Sequence, residues 1–191
     1  MVEAKNLGKR YGKRWIFHSL DFSLVPGDCL IVTGRNGIGK STLLKVLSGL
    51  ERPNKGSVDL AIEDYRVDLA YCALDQAVFA NLTVAEHLEL AADIRSIDSR
   101  CDELIGLTGL TEHRDVQSQH LSSGLRSRLK IALAIQPNPK ILLWDEPGVA
   151  LDEAGKSLIE QIVEEQKQRG VVVIATNDPG ERRFGTHALE L

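Results

Sequence analysis

The chain has 191 residues, of which 43% are hydrophobic and 26% are charged, so it can bury the core of one domain. Its formal net charge of -4 argues against a nucleic-acid partner, because nucleic-acid-binding domains usually carry a clustered basic excess. It has neither an apolar run of the roughly 20 residues that cross a bilayer nor the apolar stretch of a signal peptide, so we expect it in the cytosol.

The first predicted element is a strand near the N-terminus. Leu20, Phe22 and Leu24 alternate with polar residues, which is the pattern of a half-buried strand. Pro26 and Gly27 then supply a turn. This pattern predicts an antiparallel, hairpin-like start to the chain.

Three later runs of residues, 30–32, 141–144 and 171–175, are continuously apolar. Strands covered on both faces have this composition, so the runs predict a mainly parallel sheet with helical crossovers. A last strand-like segment covers residues 188–191.

Between these strands the pattern becomes helical. Thr83 and Glu86 form a capping-box pair that predicts a helix from Thr83 to Arg95. Residues from about 77 to 135 are mainly helical by the same criteria. We therefore predict a single α/β domain, with a nucleotide-binding core at about 1–76 and 136–191 and a helical subdomain at about 77–135.

A phosphate-binding motif lies between the first apolar strand and the helical pattern that follows it. Residues 34–42 fit G-x-x-x-x-G-K-[ST], and their backbone N–H groups and the helix N-terminus suit phosphate oxygens. We expect Lys40 to neutralise the β and γ phosphates and Ser41 to ligate Mg²⁺. The residues predicted to bind the nucleotide here are Gly34, Asn36, Gly37, Gly39, Lys40, Ser41 and Thr42.

Two acidic residues, Asp145 and Glu146, end the apolar run at 141–144. This order places carboxylates at the edge of the sheet where ligands bind in α/β folds. Asp145 is predicted to hold Mg²⁺, directly or through water, and Glu146 to polarise the water that attacks the γ-phosphate.

A second anion site is predicted at the start of a later helix. Ser122 and Gly124 offer small residues and free N–H groups at a helix N-terminus. An ordinary serine-capped helix would have the same sequence, so this segment alone leaves both interpretations open.

Together these motifs resemble the ABC family of ATP-binding cassettes over essentially the whole chain. Residues 34–42 match its Walker A motif, 141–146 its Walker B motif, and 121–125 resemble its LSGGQ signature. The resemblance implies a P-loop NTPase fold, ATP and Mg²⁺ as cofactors, and a head-to-tail homodimer or heterodimer of cassettes. It also implies ATP hydrolysis coupled to a separate membrane-spanning transporter subunit at the inner face of the membrane. The chain's compactness is similar to that of small haem-exporter cassettes.

Three further positions follow from the resemblance. Tyr11 resembles the aromatic residue that stacks on adenine, although a surface tyrosine would be equally ordinary there. Gln76 resembles the Q-loop glutamine, which senses Mg²⁺ and touches the membrane partner; its spacing is short, so Asp75 is the alternative. Asp152 resembles the D-loop aspartate at the dimer interface, or it is only the N-cap of the next helix.

The chain departs from the family pattern at two places. Ser123 and Leu125 replace the usual Gly and Gln of the signature, and Asn177 occupies the position of the switch histidine that contacts the γ-phosphate. Asparagine cannot become a cation near neutral pH, so slow turnover is expected. These departures suggest one alternative, a nucleotide-gated binding module that hardly hydrolyses ATP. A soluble non-transport ABC ATPase, which would have the same site, is the other alternative to a transport ATPase.

Overall fold

The computed structural model describes residues 1–73 and 75–191, which form two sheets and a set of α-helices. In chain order the elements are β1 (Val2–Tyr11), β2 (Arg14–Leu24), β3 (Cys29–Thr33), α1 (Lys40–Leu47), β4 (Lys55–Leu60), α2 (Tyr65–Asp68), β5 (Leu69–Cys72), α3 (Val84–Arg95), α4 (Cys101–Leu107), α5 (Ser123–Ile135), β6 (Ile141–Asp145), α6 (Glu153–Lys167), β7 (Val171–Ala175) and β8 (His187–Glu190). The predicted α/β fold, with an antiparallel N-terminal portion and a helical insertion, is confirmed.

The N-terminal sheet has the strand order β2-β1-β4, and both of its strand pairs are antiparallel. The predicted strand at Leu20, Phe22 and Leu24 lies in β2, which forms a hairpin with β1 through a turn at residues 12–13. The turn predicted at Pro26 and Gly27 instead leads from β2 to β3 in the second sheet. Apolar side chains of this sheet, among them Val2 and Leu24, form one core with Leu43 of α1 and Val173 of β7. Helix α1, which follows the phosphate loop, is thereby held between the two sheets.

The second sheet is parallel, with the order β5-β6-β7-β3-β8. The three apolar runs predicted as strands are β3, β6 and β7, which lie next to one another in its centre. Every residue of β6 and β7 is buried, as expected for strands covered on both faces. Because all five strands run the same way, their carboxyl ends meet at one edge.

The helical insertion covers the other face of this sheet. Thr83 caps α3 as predicted: its Oγ1 accepts a hydrogen bond from Glu86 N at 3.2 Å, and Glu86 Oε2 accepts one from Thr83 N at 2.7 Å. Leu88 of α3 and Leu129 of α5 share a second core with Trp144 of β6. No helix in the described ranges is long and apolar enough to cross a membrane.

Candidate functional site

Hydrogen bonding within the parallel sheet aligns three strand ends. Ala175 at the end of β7 pairs with Val32 of β3 on one side and with Asp145 of β6 on the other. The residues that follow these ends are Gly34, Asn177 and Glu146. The phosphate loop, the position of the expected switch residue and the second acid of the Walker B motif therefore begin side by side.

A cavity of about 460 Å³ opens at this edge. It is lined by Asn36, Gly37, Gly39, Lys40, Ser41, Thr42, Glu146, Val149 and Asn177. All of these except Val149 were predicted from the sequence as nucleotide-site residues. Val149 was missed because it follows the Walker B acids in a turn and carries no chemical signature of its own.

The phosphate loop has the backbone that its glycines predict. Gly39 has φ of 130°, and a Cβ on it would lie 2.2 Å from Ile16 Cγ2 of β2, so only glycine fits between the loop and the N-terminal sheet. Helix α1 begins at Lys40, directly after this glycine, with no acidic residue in its first turn and no side-chain cap from the described residues. Its free N–H groups and its dipole make an anion site.

Lys40 is the cation of the cavity, and it is 7% exposed. Its Nζ donates a hydrogen bond to the Gly34 carbonyl at 3.0 Å and lies 3.4 Å from Glu146 Oε1. Charged groups at this burial are stable only when paired and hydrogen-bonded. The Lys40 ammonium is therefore held beside the N-terminus of α1, where phosphate oxygens could bind to both.

Asn177 reaches the phosphate loop across the sheet edge. Its side-chain amide can take two orientations. In the first, Nδ2 donates a hydrogen bond to the Gly34 carbonyl at 2.7 Å, and Oδ1 accepts one from Lys40 Nζ at 3.0 Å. In the opposite orientation its Nδ2 donates to Asn36 Oδ1 at 2.7 Å. We assign the first orientation because it also pairs the lysine. Either way, the residue at the switch position contacts the loop.

Glu146 directly follows β6 and has an unusual backbone. Its φ is 50°, in the left-handed region that non-glycine residues rarely adopt, and its N–H donates to the Ala175 carbonyl at 2.8 Å. Its side chain is 22% exposed, so one face of the carboxylate is open to the cavity. A strained, oriented carboxylate beside the cavity is a candidate general base.

Asp145 directly precedes Glu146 but does not line the cavity, and it is 6% exposed. Burial raises the pKa of its carboxyl, a hydrogen bond with Ser41 lowers it, and the Glu146 charge raises it again. Its Oδ1 is buried and has no hydrogen-bond partner among the described residues. An unpaired carboxylate oxygen next to a serine hydroxyl suits a hard cation, because Mg²⁺ prefers oxygen ligands.

Tyr11 stands at the rim of the site, with 51% of its surface exposed. Its hydroxyl donates to Glu51 Oε2 at 2.6 Å, and it also interacts with the Thr42 side chain. Glu51, which also pairs with Lys9 at 2.9 Å, was not singled out from the sequence. No local pattern marks it, because β1 and the loop after α1 meet only in the folded chain.

Gln76 is not brought to the phosphate cavity. Its side chain lines a separate groove with Phe79 and His87, and its Oε1 is buried without a hydrogen-bond partner in the described part of the chain. Asp75 is exposed, lies 4.0 Å from Lys45, and its charge raises the pKa of Asp145. The choice between Gln76 and Asp75 as the Q-loop residue therefore stays open.

The signature segment lies outside the cavity as well. Ser122 caps α5, its Oγ accepting from Leu125 N at 3.2 Å, and a Cβ on Gly124 would lie 3.0 Å from the Ala150 carbonyl. Neither Ser122 nor Gly124 lines the cavity that holds Lys40. Asp152 caps α6 through Gly155 N at 2.9 Å, as one of the two interpretations predicted.

Comparison with known proteins gives the same family as the motifs. The family model described as ABC transporter matches residues 17–149. The cytochrome c biogenesis ATP-binding export protein CcmA of Agrobacterium fabrum is 34% identical, over 93% of this chain and 89% of its own length. The uncharacterized ABC transporter ATP-binding protein YybJ of Bacillus subtilis is 32% identical, over 93% of this chain and 85% of its own length.

A solved structure agrees with the whole fold. It is the dimeric structure of a post-hydrolysis state of the ATP-binding cassette MJ0796, bound to ADP and Pi. The two chains are 25% identical and superimpose with a TM-score of 0.90, over 100% of this chain and 94% of the other. The resemblance inferred from the motifs is thus confirmed by sequence and by structure.

The geometry predicts that Lys40→Ala weakens ATP binding by about tenfold or more, because hydrogen bonds to charged groups contribute about 1.5–3 kcal/mol each. Lys45→Ala is the matched control, since Lys45 lies on the same helix but does not line the cavity. Titration calorimetry with ATP measures both. Equal affinities for the two variants would remove Lys40 from the phosphate site.

Proposed function

Since the chain belongs to the ABC transporter family and is its ATP-binding, ATP-hydrolysing subunit, we propose that the cavity at the sheet edge holds Mg²⁺-ATP and that Glu146 drives its hydrolysis. The observation that carries this proposal is the single cavity shared by Lys40, Ser41, Glu146 and Asn177. It joins an anion-binding helix terminus to a carboxylate positioned to act on water.

The triphosphate is expected to lie along the N-terminus of α1. The N–H groups of the first turn and Lys40 would bind the β and γ phosphates, and Tyr11 would stack on the adenine at the rim. When bound, Mg²⁺ neutralises charge on the phosphate oxygens. Ser41 and Asp145 fit it, because the unpaired Oδ1 of Asp145 gains a partner. Gln76, the third ligand expected from the resemblance, lines a separate groove and is not included in this Mg²⁺ site.

Glu146 is proposed as the general base. Its carboxylate lines the cavity 3.4 Å from Lys40, so it could accept a proton from a water held between Glu146 and the γ-phosphate. Asn177 would contact the γ-phosphate or this water through its amide, since it already reaches Gly34 and Lys40. It can orient those groups but cannot add positive charge.

The site is proposed to need a second cassette. Ser122 and Gly124 do not line the cavity with Lys40, and the N-terminus of their helix is the second anion site expected from the sequence. A head-to-tail pair would place the signature of one chain on the ATP of the other. The MJ0796 cassette is described as dimeric in its ADP and Pi state, which supports this arrangement for the present chain.

A membrane-spanning subunit is proposed to dock in the groove that Gln76 lines. Phe79 and Ile94 border this groove, and both are 64% exposed, so together they present an exposed apolar surface. The family resemblance assigns contact with the membrane partner to the Gln76 position. The chain would then sit at the inner face of the membrane through that partner.

Glu146→Gln is expected to bind Mg²⁺-ATP with wild-type affinity and to hydrolyse it at least about tenfold more slowly, because the amide cannot accept the proton. ATP should then hold the variant as a dimer, which light scattering detects. Glu160→Gln, a change at an exposed glutamate of α6 outside the cavity, is the control. Wild-type turnover in Glu146→Gln would remove Glu146 from the base role.

Asn177→His is expected to raise turnover several-fold with ATP affinity unchanged within about twofold, since an imidazole can carry the positive charge that helps most in the transition state. Asn177→Gln, which keeps the amide, should show no gain. Steady-state phosphate release at saturating Mg²⁺-ATP measures both variants. Equal or lower turnover in the histidine variant would mean that the site already works with asparagine.

Phe79→Asp is expected to release the chain from the membranes of its own cells. The docked partner would bury the new carboxylate in the groove that Gln76 lines, and burial of an unpaired charge is unfavourable. Tyr65→Asp is the control, since Tyr65 is also an exposed aromatic residue, at 59%, and does not line the groove. Co-sedimentation of the tagged chain with membranes measures the effect. Equal sedimentation of the two variants would place the docking surface elsewhere.

A further inference from the structure

A buried carboxylate that the mechanism does not use lies behind the active-site edge. Glu181 is 6% exposed, and its Oε2 is buried without a hydrogen-bond partner among the described residues. Burial raises the pKa of its carboxyl, and the charges of Asp178 and Glu146 raise it further, while Lys156 is a cation whose own pKa the Glu181 charge raises. A buried carboxylate destabilises the fold unless it is hydrogen-bonded or paired. Buried titratable groups of this kind cluster at functional sites.

Glu181 contacts the turn that carries Glu146. A Cβ built on Gly148 would lie 2.4 Å from Glu181 Oε1, so the carboxylate lies directly against this glycine and a larger residue would displace it. The Gly148 backbone also forms a hydrogen bond with the carboxylate. Glu181 therefore touches the turn two residues after the proposed base.

The same carboxylate holds the neighbouring turn, after β7. Glu181 N donates a hydrogen bond to the Asp178 carbonyl at 3.2 Å, and Thr176 Oγ1 accepts one from Asp178 N at 2.9 Å. Against the rise that burial causes, the Thr176 side chain lowers the pKa of the Glu181 carboxyl. Thr176 is fully buried and immediately precedes Asn177. One side chain thus joins the turn that carries Glu146 to the turn that carries Asn177.

The turn after β6 needs such support because its backbone is strained. Glu146 has φ of 50° and Ala150 has φ of 66°, and neither is a glycine. Left-handed conformations of this kind persist only when surrounding contacts enforce them. Two hydrogen bonds lie within the turn, from Val149 N to Glu146 O and from Leu151 N to Gly148 O, and each is 3.2 Å long. Glu181 contacts the turn from outside it.

We propose that Glu181 is a positioning residue, which clamps the turn at 146–150 against the turn at 176–178 and so keeps the Glu146 carboxylate facing the phosphate cavity. The proposal rests on the proposed role of Glu146. Glu181 does not line the cavity that holds Lys40 and the N-terminus of α1, so loss of the clamp should slow hydrolysis and spare ATP binding.

The test compares Glu181→Ala with Glu160→Ala. Both glutamates line a cavity of about 280 Å³ beside α6, but Glu160 pairs with Arg183 at the surface, at 2.6 Å, and does not touch the turn. Glu181→Ala should lower kcat by about tenfold with the Kd for ATP within about twofold of wild type, the pattern of a lost transition-state contact. Glu160→Ala should behave as wild type.

Two further measurements separate positioning from a general structural role. Hydrogen–deuterium exchange should accelerate in the segment 146–151 of Glu181→Ala and stay unchanged in α1. Glu181→Gln should recover part of the lost kcat, because its amide oxygen can still accept from Gly148. In a Glu146→Gln background, Glu181→Ala should cause no further loss, since it acts through Glu146.

Wild-type kcat in Glu181→Ala would overturn the proposal, as would a parallel loss of ATP affinity and faster exchange throughout the chain. If Glu181→Ala does not fold, Gly148→Ala is the deciding variant. Its methyl group displaces Glu181 Oε1, so it should reproduce the loss of kcat with ATP binding retained. Wild-type turnover in Gly148→Ala would overturn the clamp. Wild-type turnover in Glu146→Gln would instead refute the proposed base, a result distinct from failure of the clamp.

Discussion

The pairing of β6 with β7 and of β7 with β3 is the constraint on which the rest of the site depends. Ala175 is in register with both Val32 and Asp145, so the three chain segments leave the sheet side by side. An α/β sheet binds ligands at this edge because loops diverge there and leave a crevice. A one-residue change in either register would turn the following side chains away from the cavity.

Charge balance at this edge follows from burial. Lys40 is nearly inaccessible, and its neighbours are a carbonyl oxygen, an amide oxygen and the Glu146 carboxylate. Phosphate oxygens can replace these neighbours because they bring more negative charge to the same ammonium. Asp145 has the opposite need, because its buried Oδ1 has no hydrogen-bond partner among the described residues and could ligate a cation. The cation and the carboxylate would therefore each gain a better partner from the same Mg²⁺-nucleotide.

The features that could be read from the sequence are local ones. The phosphate loop, the capping box at Thr83 and the N-cap at Asp152 depend on residues a few positions apart, and the structure has them where they were predicted. β1, β4 and β5 were not predicted, since their composition is mixed and long-range pairing stabilises them. The contact of Glu181 with Gly148 left no sequence signal, because two turns from different strands create it.

We propose that the cavity is half of a hydrolytic site that a second cassette completes. Phosphate release per chain, measured at saturating Mg²⁺-ATP over a wide range of chain concentrations, tests this most directly. The rate per chain should fall toward zero on dilution and rise to a plateau as chains associate. A rate per chain that stays constant and substantial down to the lowest concentration, where light scattering finds only monomers, would contradict it.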